Sequence, residues 1–144
     1  MKANELMIGD WVAVRRPGYR HEQVRVKSVI GNGTIDAKTS DGLVAIGEIA
    51  VEPIPLTAEI LANNDFLHRE SDAWGEVYTY KWSIEQEDKA LEYEHNFNLS
   101  PDPYEGTGFY WIPEMSAVSA LCIKYVHELQ HLLRLLGIEK EIEL

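Results

Sequence analysis

Alternating apolar and polar side chains, followed at once by an Asn-Gly pair, constrain the fold of this chain more than any other feature. From Gln23 to Ile30, valine and isoleucine alternate with polar and charged residues, which is the period-two pattern of a half-buried strand. The pair Asn32-Gly33 follows, and Asn-Gly supplies the positive φ angles of a type I′ hairpin turn. The first third of the chain is therefore predicted to be antiparallel β structure.

Further short strands flank this hairpin. Residues 10–14 are mostly apolar, residues 34–38 form the returning strand, and Asp41-Gly42 predicts a second turn before a strand over residues 43–51. Four or five short strands in a meander, with little room for helix, predict a small SH3-like β-barrel over residues 1–52. An open antiparallel sheet fits the same pattern.

A boundary follows, because Pro53 and Pro55 remove backbone donors and force extended geometry before them. Thr57 is a good N-cap for a short helix over residues 58–63. Alternating apolar residues then predict three strands, over residues 76–84, 91–99 and 108–112.

The last predicted element is a long amphipathic helix from about Ser116 to Leu136, ended by Gly137. The predicted fold class is therefore α+β, in which the N-terminal barrel or meander precedes a three-stranded antiparallel sheet packed on one long C-terminal helix. The predicted units are residues 1–52 and residues 53–144, and a single compact domain remains an alternative. The tail after Gly137 is compatible with a last edge strand.

The composition narrows the functional classes. The net charge is −11, and residues 42–144 hold nineteen Asp and Glu against six Lys and Arg. Such a surface repels phosphate backbones, so nucleic acid is disfavoured as a partner. Cys122 is the only cysteine, no stretch approaches the roughly 18 apolar residues of a membrane span, and the N-terminus lacks the apolar run of a signal peptide. We therefore predict a cytoplasmic protein with no disulfide and no membrane segment.

One motif points to catalysis. Residues 127–131 read His-Glu-Leu-Gln-His and match the pattern of zinc metallopeptidases. Histidines four positions apart share a helix face and can bind one zinc ion, while the glutamate between them activates a metal-bound water. His127 and His131 are therefore candidate zinc ligands, and Glu128 is the candidate general base.

Three observations favour a solvent-exposed helix face instead. On a helical wheel, the two histidines lie about 160° to either side of Leu129, the centre of the apolar stripe. Lys124 and Arg134 share their face, and two cations raise the energy of a bound dication. A catalytic zinc also needs a third protein ligand. The chain offers His68, His95, Glu139, Glu141 and Glu143, none at a recognised spacing. We therefore predict no metal or other cofactor.

Two further features are compatible with binding. The basic segment Arg15–His21 can contact a phosphate backbone or an acidic partner, although it is also typical of an exposed hairpin tip. A set of aromatic residues either forms the core of the second sheet or leaves an exposed patch for a partner. This set comprises Trp74, Tyr78, Tyr80, Trp82, Tyr110 and Trp111.

Three segments frame nearly the whole chain: residues 4–12 (NELMIGDWV), residues 52–57 (EPIPLT) with residues 59–61 (EIL), and residues 125–130 (YVHELQ). In these segments the chain resembles a family of short uncharacterised proteins from gut Bacteroides-like bacteria and their phages. The resemblance implies a protein carried by mobile elements that acts on a host or phage component. Members of that family often have Asn in place of His131 and sometimes Gln in place of Glu128, which implies that the zinc pattern is incidental.

These observations favour a non-enzymatic, cytoplasmic protein-binding or adaptor module that is linked to phage or mobile elements and whose partner is another protein. Two alternatives stay open. One is a zinc-dependent hydrolase that uses His127, His131 and Glu128. The other is an acidic inhibitor that mimics the charge of DNA.

Overall fold

The computed structural model describes residues 1–15, 21–83, 94–113 and 121–144. In chain order, its elements are β1 (Trp11–Val14), β2 (Glu22–Ile30), β3 (Thr34–Thr39), β4 (Gly42–Gly47), β5 (Val51–Glu52), α1 (Ala58–Asn63), β6 (Leu67–Ser71), β7 (Gly75–Ser83), β8 (Glu94–Pro101), β9 (Phe109–Ile112), β10 (Cys122–Ile123) and α2 (Val126–Leu135). Single turns of 3-10 helix lie at Ala3–Glu5 and Glu48–Ala50. Neither described α-helix is long and apolar enough to cross a membrane.

The chain divides into two compact units. The first unit comprises residues 1–55, 125–142 and 144, and the second comprises residues 56–124 and 143. The helix α2 therefore groups with the N-terminal strands, although 69 positions of the second unit separate them along the chain.

The first unit contains an antiparallel sheet with the strand order β4-β3-β2-β1-β5. Four strands follow the chain as a meander, and β5 pairs with β1. Every second side chain of these strands points to one face, so the core forms from alternate residues such as Val12, Val24 and Ile35, all fully buried.

The hairpin between β2 and β3 is confirmed, but its turn is not of type I′. Ile30 pairs with Thr34, which leaves residues 31–33 as the loop. Within that loop only Gly33 has a positive φ, at 77°, whereas a type I′ turn needs two such residues. The arrangement matches a three-residue loop, in which a type I turn precedes a left-handed glycine.

The second unit contains an antiparallel sheet with the order β10-β9-β8-β7-β6. The predicted helix α1 is confirmed with its cap, because the Thr57 hydroxyl accepts a hydrogen bond from the Ile60 N–H at 3.2 Å. Aromatic side chains form part of this unit's core. The ring of Phe66 lies 5.4 Å from that of Tyr80 and 6.2 Å from that of Phe97, measured between centroids.

The predicted fold class, α+β with a three-stranded sheet packed on one long C-terminal helix, is wrong. Where residues are described, the protein is mostly β, with two five-stranded antiparallel sheets and two short helices. Of the helix predicted from about residue 116, positions 116–120 lie outside the described residues, and Cys122–Ile123 form β10, which pairs with β9. The helix itself begins at Val126. The spacing of apolar residues cannot separate a two-residue strand from the helix that follows it, because so short a strand also fits the helical pattern.

The C-terminal end of α2 and most of the tail after it lie in the first unit. Its C-terminal end is confirmed, because Gly137 adopts a φ of 72° and the Ile138 N–H donates to the Leu133 carbonyl at 2.9 Å. The residues after it form no regular secondary structure. Hydrogen bonds nevertheless attach this tail to β1 and β2, since the Ile142 carbonyl accepts from Trp11 Nε1 at 2.7 Å and from Arg25 Nη2 at 3.2 Å.

Gly108 is a position where alanine should destabilise the second unit. Its φ is 88°, and a Cβ atom there would lie 2.9 Å from the Ile123 carbonyl oxygen. Replacing Gly108 by alanine is expected to cost about 2–3 kcal/mol, from backbone strain and the clash together. The matched control is Gly106→Ala, because Gly106 has a φ of 68° but no atom within 4 Å of its added Cβ. Equal losses in urea unfolding of the two variants would contradict the expected clash.

Candidate functional site

The helix α2 carries His127, Glu128 and His131, and it lies in the first unit. The prediction that these histidines occupy a solvated face is wrong. His127 is only 7% exposed, and the side chain of His131 is 28% exposed. The polar face of α2 is covered because it packs on the segment Gly9–Trp11, at the start of β1.

Asp10 is fully buried and holds this polar face in place. Its Oδ1 atom accepts a hydrogen bond from Arg134 Nη1 at 2.8 Å, and its Oδ2 atom lies 2.7 Å from His131 Nε2. The same Oδ2 atom accepts from the backbone N–H of Met7, also at 2.7 Å. A buried carboxylate needs such partners, since an unpaired buried charge is strongly destabilising.

Gln130 completes the contact. Its Oε1 atom accepts from the Trp11 N–H at 3.0 Å, and its Nε2 atom donates to the Gly9 carbonyl at 3.1 Å. In addition, the Val126 N–H donates to the Ile54 carbonyl at 2.9 Å. Hydrogen bonds within the first unit thus join the segment Gly9–Trp11 and Ile54 to the helix α2.

The histidine motif has structural partners in this arrangement. Glu128 accepts a hydrogen bond from the Tyr125 N–H at 3.2 Å and so caps the N-terminus of α2. The His127 ring stacks on Tyr125 at 5.9 Å and meets the edge of His131 at 5.7 Å. Burial lowers the pKa of His127 below its usual value of 6.5, which favours a neutral ring. Across the described ranges, no three His, Cys, Asp or Glu side chains gather as a metal site.

The basic segment of the first unit is only partly described, because residues 16–20 lie outside the described residues. Arg15 and His21 lie 3.7 and 3.6 Å from the carboxylate of Glu52. Glu52 also lines a cavity of about 530 Å³ together with His21 and Glu22. Among the described residues of this segment, the carboxylate of Glu52 offsets part of the positive charge of Arg15.

The aromatic set predicted for the second unit divides between core and surface. Tyr78 is buried, and its ring meets Phe109 edge-on at 5.7 Å. Trp82 stacks on His95 at 4.8 Å. Trp74 and Tyr110, in contrast, line one open cavity, the aromatic groove.

The aromatic groove is lined by residues of the turn that joins β6 to β7, of the loop that joins β8 to β9, and of these two last strands. The turn between β6 and β7 contributes Ala73 and Trp74, and the end of β8 contributes Ser100 and Pro101. These parts are tied together, because the Ser100 hydroxyl donates to the Glu76 carbonyl at 3.1 Å and lies 3.4 Å from the Trp74 carbonyl. The strand β9 places Tyr110 opposite Ser100.

The loop after β8 forms the remaining wall with Pro103 and Tyr104. Asp102 stabilises the turn of this loop, because its Oδ1 atom accepts hydrogen bonds from the N–H groups of Tyr104 and Glu105 at 2.8 and 3.2 Å. Asp102 is itself buried, whereas Tyr104 is 89% exposed. The loop therefore holds a large aromatic ring in solvent at the rim of a cavity of about 390 Å³.

A buried carboxylate acts on one wall of the aromatic groove. The charge of Asp102 is the main cause that raises the pKa of Tyr110 above its usual value, followed by burial and by Cys122, Glu105 and Tyr104. Among the described residues that line the cavity, none is charged. The groove thus combines uncharged aromatic walls with a carboxylate set behind them.

Sequence reasoning identified part of this groove. Trp74 and Tyr110 belonged to the predicted aromatic set, but Tyr104 did not, because it lies in a loop rather than in an alternating strand. The signal that could have found it is the run Pro101-Asp102-Pro103-Tyr104, in which prolines and an Asx-type turn hold an aromatic residue outward.

Comparisons with known proteins do not assign a function to the chain. No family model, no curated protein and no solved structure matches the chain.

Proposed function

We propose that this protein is a non-enzymatic protein-binding module of the cytoplasm, and that its aromatic groove receives an extended, positively charged segment of a partner protein. The observation that carries the proposal is the 89% exposure of Tyr104 at the rim of a cavity shared with Trp74 and Tyr110. Tryptophan and tyrosine dominate the energetics of protein interfaces when a partner covers them.

Charge determines which partner fits. Between residues 56 and 124 the chain has thirteen Asp and Glu against four Lys and Arg. A surface of this sign attracts basic segments, accelerates their association and repels acidic ones. Asp102 adds a buried carboxylate to the loop that forms one wall of the aromatic groove.

The residues that line the aromatic groove also limit the loss of conformational entropy when a partner binds. Pro101 and Pro103 have fixed φ angles and no N–H donor, so they need neither ordering nor a hydrogen-bond partner. Tyr104 has few rotatable bonds, and its loop is held by Asp102. A preorganised surface of this kind keeps more of its contact energy as affinity.

The link with phage or mobile elements belongs to the same proposal and rests on the family resemblance of the sequence. Two of the segments that carry the resemblance, residues 4–12 and 125–130, are hydrogen-bonded to each other in the first unit. In this proposal the first unit supplies a stable fold, and the second unit supplies the docking surface.

Selection from a randomised peptide library displayed on yeast tests the docking function. The full chain serves as the labelled bait, in parallel with Tyr104→Ala and with the control Leu67→Ala. Leu67 is 61% exposed on β6 and does not line the groove. Wild type and Leu67→Ala are expected to enrich the same Lys- and Arg-containing peptides, and Tyr104→Ala is expected to bind them about tenfold more weakly or worse.

Two results would count against the docking function. One is enrichment of peptides that bind Tyr104→Ala as tightly as wild type. The other is enrichment of acidic peptides, because the charge of residues 56–124 requires the opposite. Circular dichroism of the variants serves as the check on folding, and the high exposure of both replaced side chains predicts unchanged spectra.

A further inference from the structure

We infer that the cavity of the aromatic groove is a binding site for a methylated ammonium group, carried by a methylated lysine of the partner segment. The inference rests on the proposed docking function and specifies the chemistry that the groove selects. It follows from three properties of the cavity: its aromatic walls, the lack of charge among its described lining residues, and the buried carboxylate behind it.

The walls supply the attraction. Trp74, Tyr104 and Tyr110 line the same space, and the faces of aromatic rings attract cations through their quadrupoles. Trp74 is 37% exposed, so part of it is accessible to a ligand. At about 390 Å³, the aromatic groove lies within the range of about 300–1,000 Å³ typical of small-ligand sites.

The position of Asp102 selects a cation over a neutral group. Its carboxylate is buried, where a charge acts through a lower effective dielectric than in water. Its Oδ1 atom already accepts two backbone hydrogen bonds, from Tyr104 and Glu105. Its Oδ2 atom lies 4.0 Å from Cys122 Sγ, so both carboxylate oxygens have contacts within the chain, and Asp102 would act on a ligand through its charge.

The absence of a lining carboxylate decides between the possible cations. An arginine guanidinium gains most from a bidentate carboxylate partner, and an unmodified lysine ammonium is strongly hydrated. Neither finds a charged acceptor among the described lining residues. Methylation removes donors and weakens hydration while it keeps the charge, so a methylated ammonium loses least on entering between aromatic rings.

Three small probes test the inference in NMR titrations of the full chain: doubly capped trimethyl-lysine, doubly capped lysine, and the neutral isostere of trimethyl-lysine with carbon in place of nitrogen. The readout is the indole N–H resonance of Trp74, assigned by its loss in Trp74→Phe. We expect a saturable shift with trimethyl-lysine, and an affinity about tenfold above those of the other two probes.

Asp102→Asn provides the matched variant. An asparagine Oδ1 atom can keep the two hydrogen bonds that hold the loop, while the charge is removed. The variant should weaken trimethyl-lysine binding several-fold and leave binding of the neutral isostere unchanged. A purely structural role for Asp102 would change both equally, and that result would overturn the assigned role of its charge.

The remaining outcomes separate this inference from the proposed function. Equal affinity for trimethyl-lysine and its neutral isostere would overturn the inference, while peptide enrichment lost in Tyr104→Ala would still support docking. Equal or tighter binding of unmodified lysine would overturn the preference for methylation. No shift with any probe at tens of millimolar would also overturn the inference, and the library selection would then decide the docking function independently.

Discussion

Replacing Asp10 by alanine is expected to lower the free energy of unfolding of the first unit by about 3 kcal/mol. The variant removes the acceptor of Arg134 and of the Met7 N–H, and it removes the partner of His131. Breaking a buried ion pair from one side costs about 3–5 kcal/mol. The lower end applies here, because the side chains of Arg134 and His131 keep some contact with water.

The matched control is Glu141→Ala in the same unit. Glu141 pairs with Arg25 at 3.4 Å, but its side chain is 66% exposed, so the loss is expected to stay below about 1 kcal/mol. Urea unfolding followed by circular dichroism measures both variants. Hydrogen exchange at the Trp11 N–H, which donates to Gln130, reports on the junction directly. A loss for Asp10→Ala no larger than that for Glu141→Ala would show that the buried carboxylate does not hold α2.

Acidification is expected to destabilise the first unit through His127. Burial lowers the pKa of this ring, and His131 lowers it further, while Glu128, Asp10 and Glu5 act in the opposite direction. Because the folded-state pKa lies below the unfolded value of about 6.5, the unfolded chain binds more protons as the pH falls from about 7. Stability should therefore decrease below about pH 6.5, by up to about 1.4 kcal/mol per pH unit, until the folded pKa is reached.

The variant His127→Phe isolates this contribution. Phenylalanine keeps a ring that can stack on Tyr125 but does not titrate. It also removes the Nδ1 atom, for which the structure provides no hydrogen-bond partner among the described residues. Urea midpoints between about pH 7 and pH 5.5 should depend less on pH in the variant than in wild type. Parallel pH profiles for the two proteins would assign the acid sensitivity to other groups.

Elements whose signals lie within a few consecutive residues could be predicted from the sequence, whereas pairings between separate segments could not. The strand β2 was predicted from its alternation, and α1 from its Thr57 cap, because both signals lie within a few residues. The strand β6 was missed, since its five residues are mostly exposed and show no alternation. The helix α2 was extended backwards through β10 because the two residues of that strand are too few to show an alternating pattern.

The polar face of α2 shows a second limit. A helical wheel places a single apolar stripe around Leu129 and assigns the opposite face to solvent. It cannot show that Asp10, more than a hundred positions earlier, supplies a buried acceptor for that face. A buried polar face and a solvated one have the same composition, so one sequence does not distinguish them.

The division of the chain into two units has a consequence for the order of events during protein synthesis. The strands of the first unit are made first, and residues 56–124 must be translated before α2 can join them. Pro55 and Tyr125 form a β-bridge, so the inserted stretch leaves and re-enters the first unit at neighbouring points. At ribosomal rates of roughly 5–20 residues per second, this interval lasts about 4–14 s. During that time the carboxylate of Asp10 has neither His131 nor Arg134, and the second unit has its complete set of strands before the first has its helix.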